Sequence, residues 1–327
     1  MNRVLFNSCR PLGRCENITA VYEAYRGDKL FFGGIKGLGG YVDVSRRQEN
    51  VVVSDEFVFR KRPEQKVVMI AHGLTGGKLY GADQKQGMFA SRRETCALVD
   101  WYVTSSEYGR RFASSAAGIP IERCIPLGMP RTDAYFGKEK GQGRTVLARA
   151  RRSYLFAPTF RSRYDLPAPR IDWRKIDSLL EDDECFVVKR HMNSGGSFTG
   201  YRLSKVIEAE NSEPSTPYLI DCDVLCTDFS SIMFDVHLMG KPVVLTCDKN
   251  NPYLGSRGMY MAYPDEYSSR SLHAAGNEEA FLDMVREAYE NGPQEADIEC
   301  REKVAGACDG HSAERVAEFA RGLLEED

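Results

Sequence analysis

Val224-Leu225-Cys226-Thr227-Asp228-Phe229-Ser230-Ser231-Ile232-Met233-Phe234-Asp235 changes its hydrophobic period once, and that change decides the fold. Val224 to Thr227 reads as a buried strand, whereas Ile232 to Met239 has helical apolar spacing. Between them lies a strand-to-helix turn with two serines. Such a turn presents hydroxyls and free backbone N–H groups at the positive end of a helix, a ready site for an anion and above all for phosphate. Asp228 before the turn and Asp235 one helical turn inside it are carboxylates suited to a sugar or polyol. Ser and Asp are also ordinary N-cap residues, and most strand-cap-helix junctions bind nothing. The rest of the chain has to decide between these readings.

The same alternation runs outward in both directions. Val4–Phe6, Leu30–Phe32, Val67–Ala71, Leu98–Val103 and Cys124–Leu127 read as short buried strands, with helices expected over Ile18–Tyr25 and Glu107–Ala117. Further strands are expected at Tyr154–Ala157, Phe186–Lys189 and Pro242–Leu245, and helices near Glu278–Glu290 and His311–Leu324. Alternation of this kind predicts an α/β fold with parallel sheets. The charged, glycine-bearing stretch Gly137–Arg152 reads as a linker, which gives two domains, residues 1–140 and 141–327. The run Gly33-Gly34-Ile35-Lys36-Gly37-Leu38-Gly39-Gly40 lacks the spacing of a dinucleotide site and reads as a loop.

At 327 residues the chain can bury two medium cores. A net charge of −3 gives no reason to expect wholesale nucleic-acid binding, although Arg92-Arg93, Arg110-Arg111 and Arg149 with Arg151-Arg152 are local basic clusters. These are solvated helix faces or contacts with an acidic membrane surface. The ten cysteines show no CxxC pair and no metal-type spacing with histidine, which predicts reduced, buried thiols. No apolar run approaches the length needed to span a bilayer, and the amino terminus lacks a signal-peptide core. The expected protein is soluble, or at most peripheral on a membrane.

Several predicted strands end in groups that carry chemistry. His72-Gly73 follows the Val67–Ala71 strand; glycine lets the backbone turn sharply, and imidazole can serve as a general base near neutral pH. Thr159 and Arg161 follow Pro158 at the end of the next domain's first strand, where guanidinium suits a phosphate. Lys189-Arg190-His191 ends a third strand, and Gly128-Met129-Pro130-Arg131-Thr132-Asp133 follows a fourth. Asp221-Cys222-Asp223 has DxD spacing but precedes a strand, so it reads as a loop-to-strand boundary and no metal is expected.

In this order, His72-Gly73, Gly128–Asp133, Pro158–Arg161, Lys189–His191, Asp228–Asp235 and Tyr253–Tyr260 resemble the CDP-glycerol glycerophosphotransferases that prime and polymerise teichoic acids, and related capsule polymerases. Val4-Leu5-Phe6-Asn7-Ser8 and Glu16-Asn17 are similar to the family's first strand and helix. The resemblance implies a GT-B-type fold, two Rossmann-like domains facing a central cleft, with the acceptor side in the first domain and the CDP-donor in the second. It implies transfer of a polyol phosphate, glycerol phosphate or a relative, from the CDP-linked donor to a hydroxyl of a lipid-linked glycopolymer, with release of CMP. His72 matches the general base and His191 a second catalytic group. Arg161, Thr159, Asp228, Ser230, Ser231 and Asp235 match the donor site, while Gly73, Arg131 and Asp133 fall on the acceptor or cleft side. No cofactor is implied. The implied location is the cytoplasmic face of the cell membrane, as a peripheral protein. Ala71 replaces the family's usual aromatic before His72, and Met192-Asn193 replaces a common proline after His191; both departures bear on the polyol and acceptor rather than the fold. A GT-B glycosyltransferase using a nucleotide-sugar, a nucleotide-sugar epimerase and a non-catalytic binding module are the competing readings.

Overall fold

The computed structural model describes residues 3–8, 10–13, 16–33, 42–71, 73–85, 98–159, 170–190, 203–247 and 249–325. The chain forms two compact units: residues up to Phe136 together with those from Glu302 onward, and Gly137–Arg301.

The first unit is built on a six-stranded parallel sheet of β1 (Arg3–Ser8), β2 (Asp28–Gly33), β4 (Val51–Ser54), β6 (Lys66–Ile70), β7 (Trp101–Val103) and β8 (Cys124–Ile125). Its strand order is β2-β1-β4-β6-β7-β8, and β3 (Val42–Asp43) pairs separately with β5 (Val58–Arg60). Val4, Leu5, Phe6, Val51, Val52, Val53, Val67 and Val68 are fully buried, as continuous apolar runs must be in a parallel sheet covered on both faces. The expected helix over 107–117 begins at Arg110, because Ser106 Oγ accepts from the Gly109 amide (3.0 Å) and holds the preceding residues in a turn.

The second unit holds a five-stranded parallel sheet of β9 (Arg152–Phe156), β10 (Glu184–Val188), β11 (Val206–Glu208), β12 (Val224–Thr227) and β13 (Val243–Leu245), in the order β11-β10-β9-β12-β13. Its core packs Tyr154, Phe156, Trp173, Phe186 and Phe281 around the central strands. The Glu184 side chain is fully buried at the edge of that core. Burial pushes its carboxyl up, but Arg286, the Glu181 amide and the Tyr154 hydroxyl outweigh burial and hold it below the usual carboxylate range. The stabilisation from Glu184 is therefore present above the unfolded-state pKa and lost as pH falls through the lower folded one.

Two parts of the expected organisation change. Helix Ser312–Glu325 was assigned with the second domain; it packs instead on the first unit, against helix Glu16–Ala24, β1 and β4. Asp133 accepts from the Ser312 and Ala313 amides (3.1 and 2.7 Å), Lys66 Nζ donates to the Leu323 carbonyl (3.0 Å), and Phe319 meets Trp101 edge-on. The expected linker Gly137–Arg152 is also a packed part of the second unit. The buried Asp221 carboxylate accepts from the Gly141, Gly143 and Thr145 amides and from Thr145 Oγ1, all at 2.7–2.9 Å. Asp223 binds Lys140 Nζ (2.6 Å) and the Ser153 amide (2.9 Å). The DxD pair thus sits at a helix-to-strand boundary, where a loop-to-strand boundary was expected, because Asp221 ends helix Thr216–Asp221, and it staples the entry segment to β9.

Seven cysteines among the described residues are free and buried. Burial pushes the thiols of Cys124, Cys185 and Cys222 up to about 11. Among the described residues, no helix is long and apolar enough to cross a membrane.

Candidate functional site

In an open parallel sheet, ligands bind beyond the carboxyl ends of the strands where the strand order reverses. In the second unit that point lies between β9, whose chain moves on to β10 and β11, and β12, whose chain moves on to β13 in the opposite direction. The residues that leave the sheet there are Ala157-Pro158-Thr159 and Asp228-Phe229-Ser230-Ser231. Two stretches separated by about seventy residues in sequence are therefore brought to one place by topology alone.

Hydrogen bonds lock the two strand ends together. Ala157 N donates to Cys226 O (3.0 Å) and Thr227 Oγ1 to Ala157 O (2.6 Å). Asp228, 2% exposed, accepts at Oδ1 from both the Thr159 and the Phe229 amide (2.7 Å each). With two amides on it, Oδ1 of Asp228 joins the two turns. Asp235 is likewise buried, on the inner side of helix Ile232–Leu238. The groups left facing outward are hydroxyls: Ser230 and Ser231 are partly exposed, and Ser231 stands at the N-cap position without using its side chain as a cap. The Thr159 hydroxyl is buried and has no hydrogen-bond partner among the described residues.

Replacing Asp228 by Ala leaves two buried amides without an acceptor, and should destabilise the protein by about 2–3 kcal/mol. Asp228→Asn, which keeps an acceptor oxygen, should lose less than half as much. Equal denaturation midpoints for wild type and Asp228→Ala would show that the two turns are held some other way.

An aromatic wall backs the turn. Phe229 stacks on Tyr253 (centroids 5.2 Å apart) and packs against Tyr263 (4.8 Å), whose hydroxyl donates to Cys247 O (2.6 Å). The Tyr253–Tyr260 motif is thereby tied to the Asp228–Asp235 motif by ring packing. Tyr263 and Cys247 belong to no motif, and nothing in the sequence around them marks the contact.

The third expected cationic strand end is committed elsewhere. Lys189, buried at the end of β10, donates to the Glu210 carbonyl (3.0 Å), and Arg190 pairs with Glu208 (2.5 Å). Burial pushes the Lys189 ammonium below its ordinary pKa. These two cations hold β11 and its following loop. Arg161 and His191 lie outside the described residues, as does His72.

In the first unit, Arg131 and Asp133 were expected on the acceptor side. Arg131 donates its amide to Asn17 Oδ1 (2.9 Å) and reaches Tyr135 Oη with Nη1 (3.4 Å). The Asp133 carboxylate caps helix Ser312–Glu325, each oxygen accepting one amide, and so docks that helix. Gly73 lies just beyond β6 and is half-buried. Among the described residues no cluster of His, Cys, Asp and Glu could hold a metal ion.

Comparison with known proteins bears on the family and the fold. The sequence profile of the CDP-Glycerol:Poly(glycerophosphate) glycerophosphotransferase family matches residues 41–320. The chain is 23% identical to the teichoic acid ribitol-phosphate polymerase TarK of Staphylococcus aureus (strain NCTC 8325 / PS 47), over 80% of this chain and 53% of TarK. It is 21% identical to the teichoic acid glycerol-phosphate primase of Bacillus subtilis (strain 168), over 84% of this chain and 74% of the primase. The chain spans about half the length of the curated ribitol-phosphate polymerases it matches, 53% and 48%. Among solved structures, the wall teichoic acid polymerase TagF superposes with a TM-score of 0.77 at 18% identity, covering 99% of this chain and 89% of TagF. The expected α/β, GT-B-type class holds.

Proposed function

The chain belongs to the CDP-glycerol:poly(glycerophosphate) glycerophosphotransferase family, and from that premise we propose that it transfers glycerol phosphate, or a related polyol phosphate, from a CDP-linked donor to a hydroxyl of a lipid-linked glycopolymer. The observation that carries this reading is the convergence of Thr159 with Ser230 and Ser231 at the strand-order reversal of the second sheet, locked by Asp228. A diphosphate needs several short-range donors on a rigid base, and this turn offers hydroxyls backed by a buried aromatic wall.

In this reading the acceptor oxygen forms a bond to the donor's β-phosphorus as the bond from that phosphorus to the bridging oxygen breaks, and CMP departs with the bridging oxygen. His72 takes the acceptor's proton. Arg161 and the Ser230-Ser231 turn compensate charge on the diphosphate, and His191 contacts it or protonates the departing phosphate. Such displacements rest on positioning and charge stabilisation more than on covalent chemistry. The acceptor sits with the first unit and the donor with the second. The lipid-linked acceptor implies work at the cytoplasmic face of the membrane, with peripheral contact.

Nucleotide release by the purified protein tests the reading, with CDP-glycerol, CDP-ribitol, UDP-sugars and GDP-sugars as donors and a lipid-linked acceptor extract. The expected result is acceptor-dependent CMP release from one CDP-polyol. Release of UDP or GDP from a sugar donor, with both CDP-polyols inert, would overturn it.

A further inference from the structure

We infer that Asn17 is a positioning residue for the strand end that carries His72, and that it acts by holding the carbonyl of Ala71. The inference rests on the proposed role of His72 as general base, and adds a residue to which no catalytic role was assigned. Asn17 lies in the first turn of helix Glu16–Ala24 and is 4% exposed. Its Nδ2 donates to Ala71 O (2.9 Å), and its Oδ1 accepts from Arg131 N (2.9 Å). One amide side chain thus uses a donor and an acceptor at once, which fixes the direction of both.

Ala71 is the residue joined directly to His72. Its carbonyl lies one position beyond β6, where a buried backbone oxygen must find a partner or cost free energy. The partner is a side chain that is itself tied to the Gly128–Asp133 loop. The far end of the same short stretch is held too. Thr75, 2% exposed, donates its amide to Ser105 Oγ (3.1 Å), and its own hydroxyl lies 3.0 Å from the same oxygen. Ser105 Oγ donates onward to Val304 O (2.5 Å), in the segment that returns to this unit. Thr75 packs so closely that a Cβ on Gly109 would meet its Oγ1 at 2.0 Å. The stretch 71–75 is therefore held at both ends by buried polar side chains from other elements.

A base must sit within a fraction of an ångström of its productive position, and a displacement of about 1 Å can cost on the order of 100-fold in rate. Asn17→Ala removes the hold on Ala71 O together with the acceptor of the Arg131 amide. Its kcat for CMP release should fall about 10- to 100-fold, while CDP-donor affinity, measured by calorimetry, stays within about threefold.

Asn17→Asp separates the two hydrogen bonds and guards against an Ala variant that fails to fold. It keeps an acceptor for Arg131 N but has no donor for Ala71 O, so it should be as slow as Asn17→Ala. Recovery of wild-type kcat in Asn17→Asp would place the effect on Arg131 and overturn the inference. So would unchanged kcat in either folded variant, or a parallel loss of kcat, donor affinity and thermal midpoint in both, which would mark Asn17 as general scaffold. His72→Ala run alongside distinguishes the two levels. Normal turnover in His72→Ala removes the base and this inference with it, whereas a dead His72→Ala beside a fully active Asn17→Asp removes the inference alone.

Discussion

His72→Ala lowers kcat for acceptor-dependent CMP release by about 100- to 10,000-fold and leaves donor affinity within about threefold. The asymmetry follows from what a general base does. The acceptor hydroxyl keeps its proton in the ground state, so the imidazole contributes only as the new oxygen–phosphorus bond forms. An interaction made only in the transition state lowers kcat and kcat/KM equally when lost. The donor is proposed to lie with the second unit, on Thr159 and the Ser230-Ser231 turn, and His72 belongs to the first, so loss of the imidazole removes no donor contact. Arg161→Ala should behave in the opposite way, weakening donor binding before or together with turnover. Steady-state kinetics with the preferred CDP-polyol, beside calorimetric donor binding, reads both quantities. Near-normal turnover in His72→Ala would remove His72 as the base.

What the sequence revealed and what it concealed divide along a physical line. The change of period at Asp228–Asp235 is a local property, and it located both the strand and the helix of the donor block. Parallel alternation is also local when summed, and it yielded two sheets. The roles of individual side chains depend on partners far away in the chain. Asp133 looked like a ligand-facing carboxylate because its amide partners, Ser312 and Ala313, stand 179 and 180 residues later. The structural bond of Asp228 Oδ1 was hidden in the same way, since the Thr159 amide is 69 residues earlier. Asn17 drew attention only as part of a motif, and its bonds to Ala71 and Arg131 span 54 and 114 residues. Helix Ser312–Glu325 shows an amphipathic pattern that says it packs on a sheet without saying which. A side chain's type states what it can bind, and only the fold states whether the protein has already bound it.

Gly128→Val should be the most destabilising single change outside the proposed chemistry, by about 3 kcal/mol or more. Gly128 has φ +91°, a conformation that a β-branched residue adopts only at a cost. A Cβ placed there would also meet Ser312 Oγ at 2.3 Å and the Ala307 carbonyl oxygen at 2.6 Å. The serine hydroxyl can turn away, but the carbonyl belongs to backbone whose neighbour, the Ala307 amide, donates to Ser105 O (2.9 Å). Relief therefore means moving either the Gly128 loop, pinned by its amide to Thr104 O (3.0 Å), or the start of helix Ser312–Glu325. Asp133→Ala, which removes only the cap on that helix, should cost about 1 kcal/mol, and the comparison isolates the steric part. Denaturant unfolding reads the loss; limited proteolysis locates it, with cleavage expected between Gly306 and His311 as the helix loosens. A Gly128→Val protein with the wild-type midpoint and cleavage pattern would show that the contact yields without consequence. The same loop donates the Arg131 amide to Asn17, and Asn17 holds Ala71. Strain at Gly128 should thus reach the His72 strand end, so that the fraction still folded turns over more slowly than wild type.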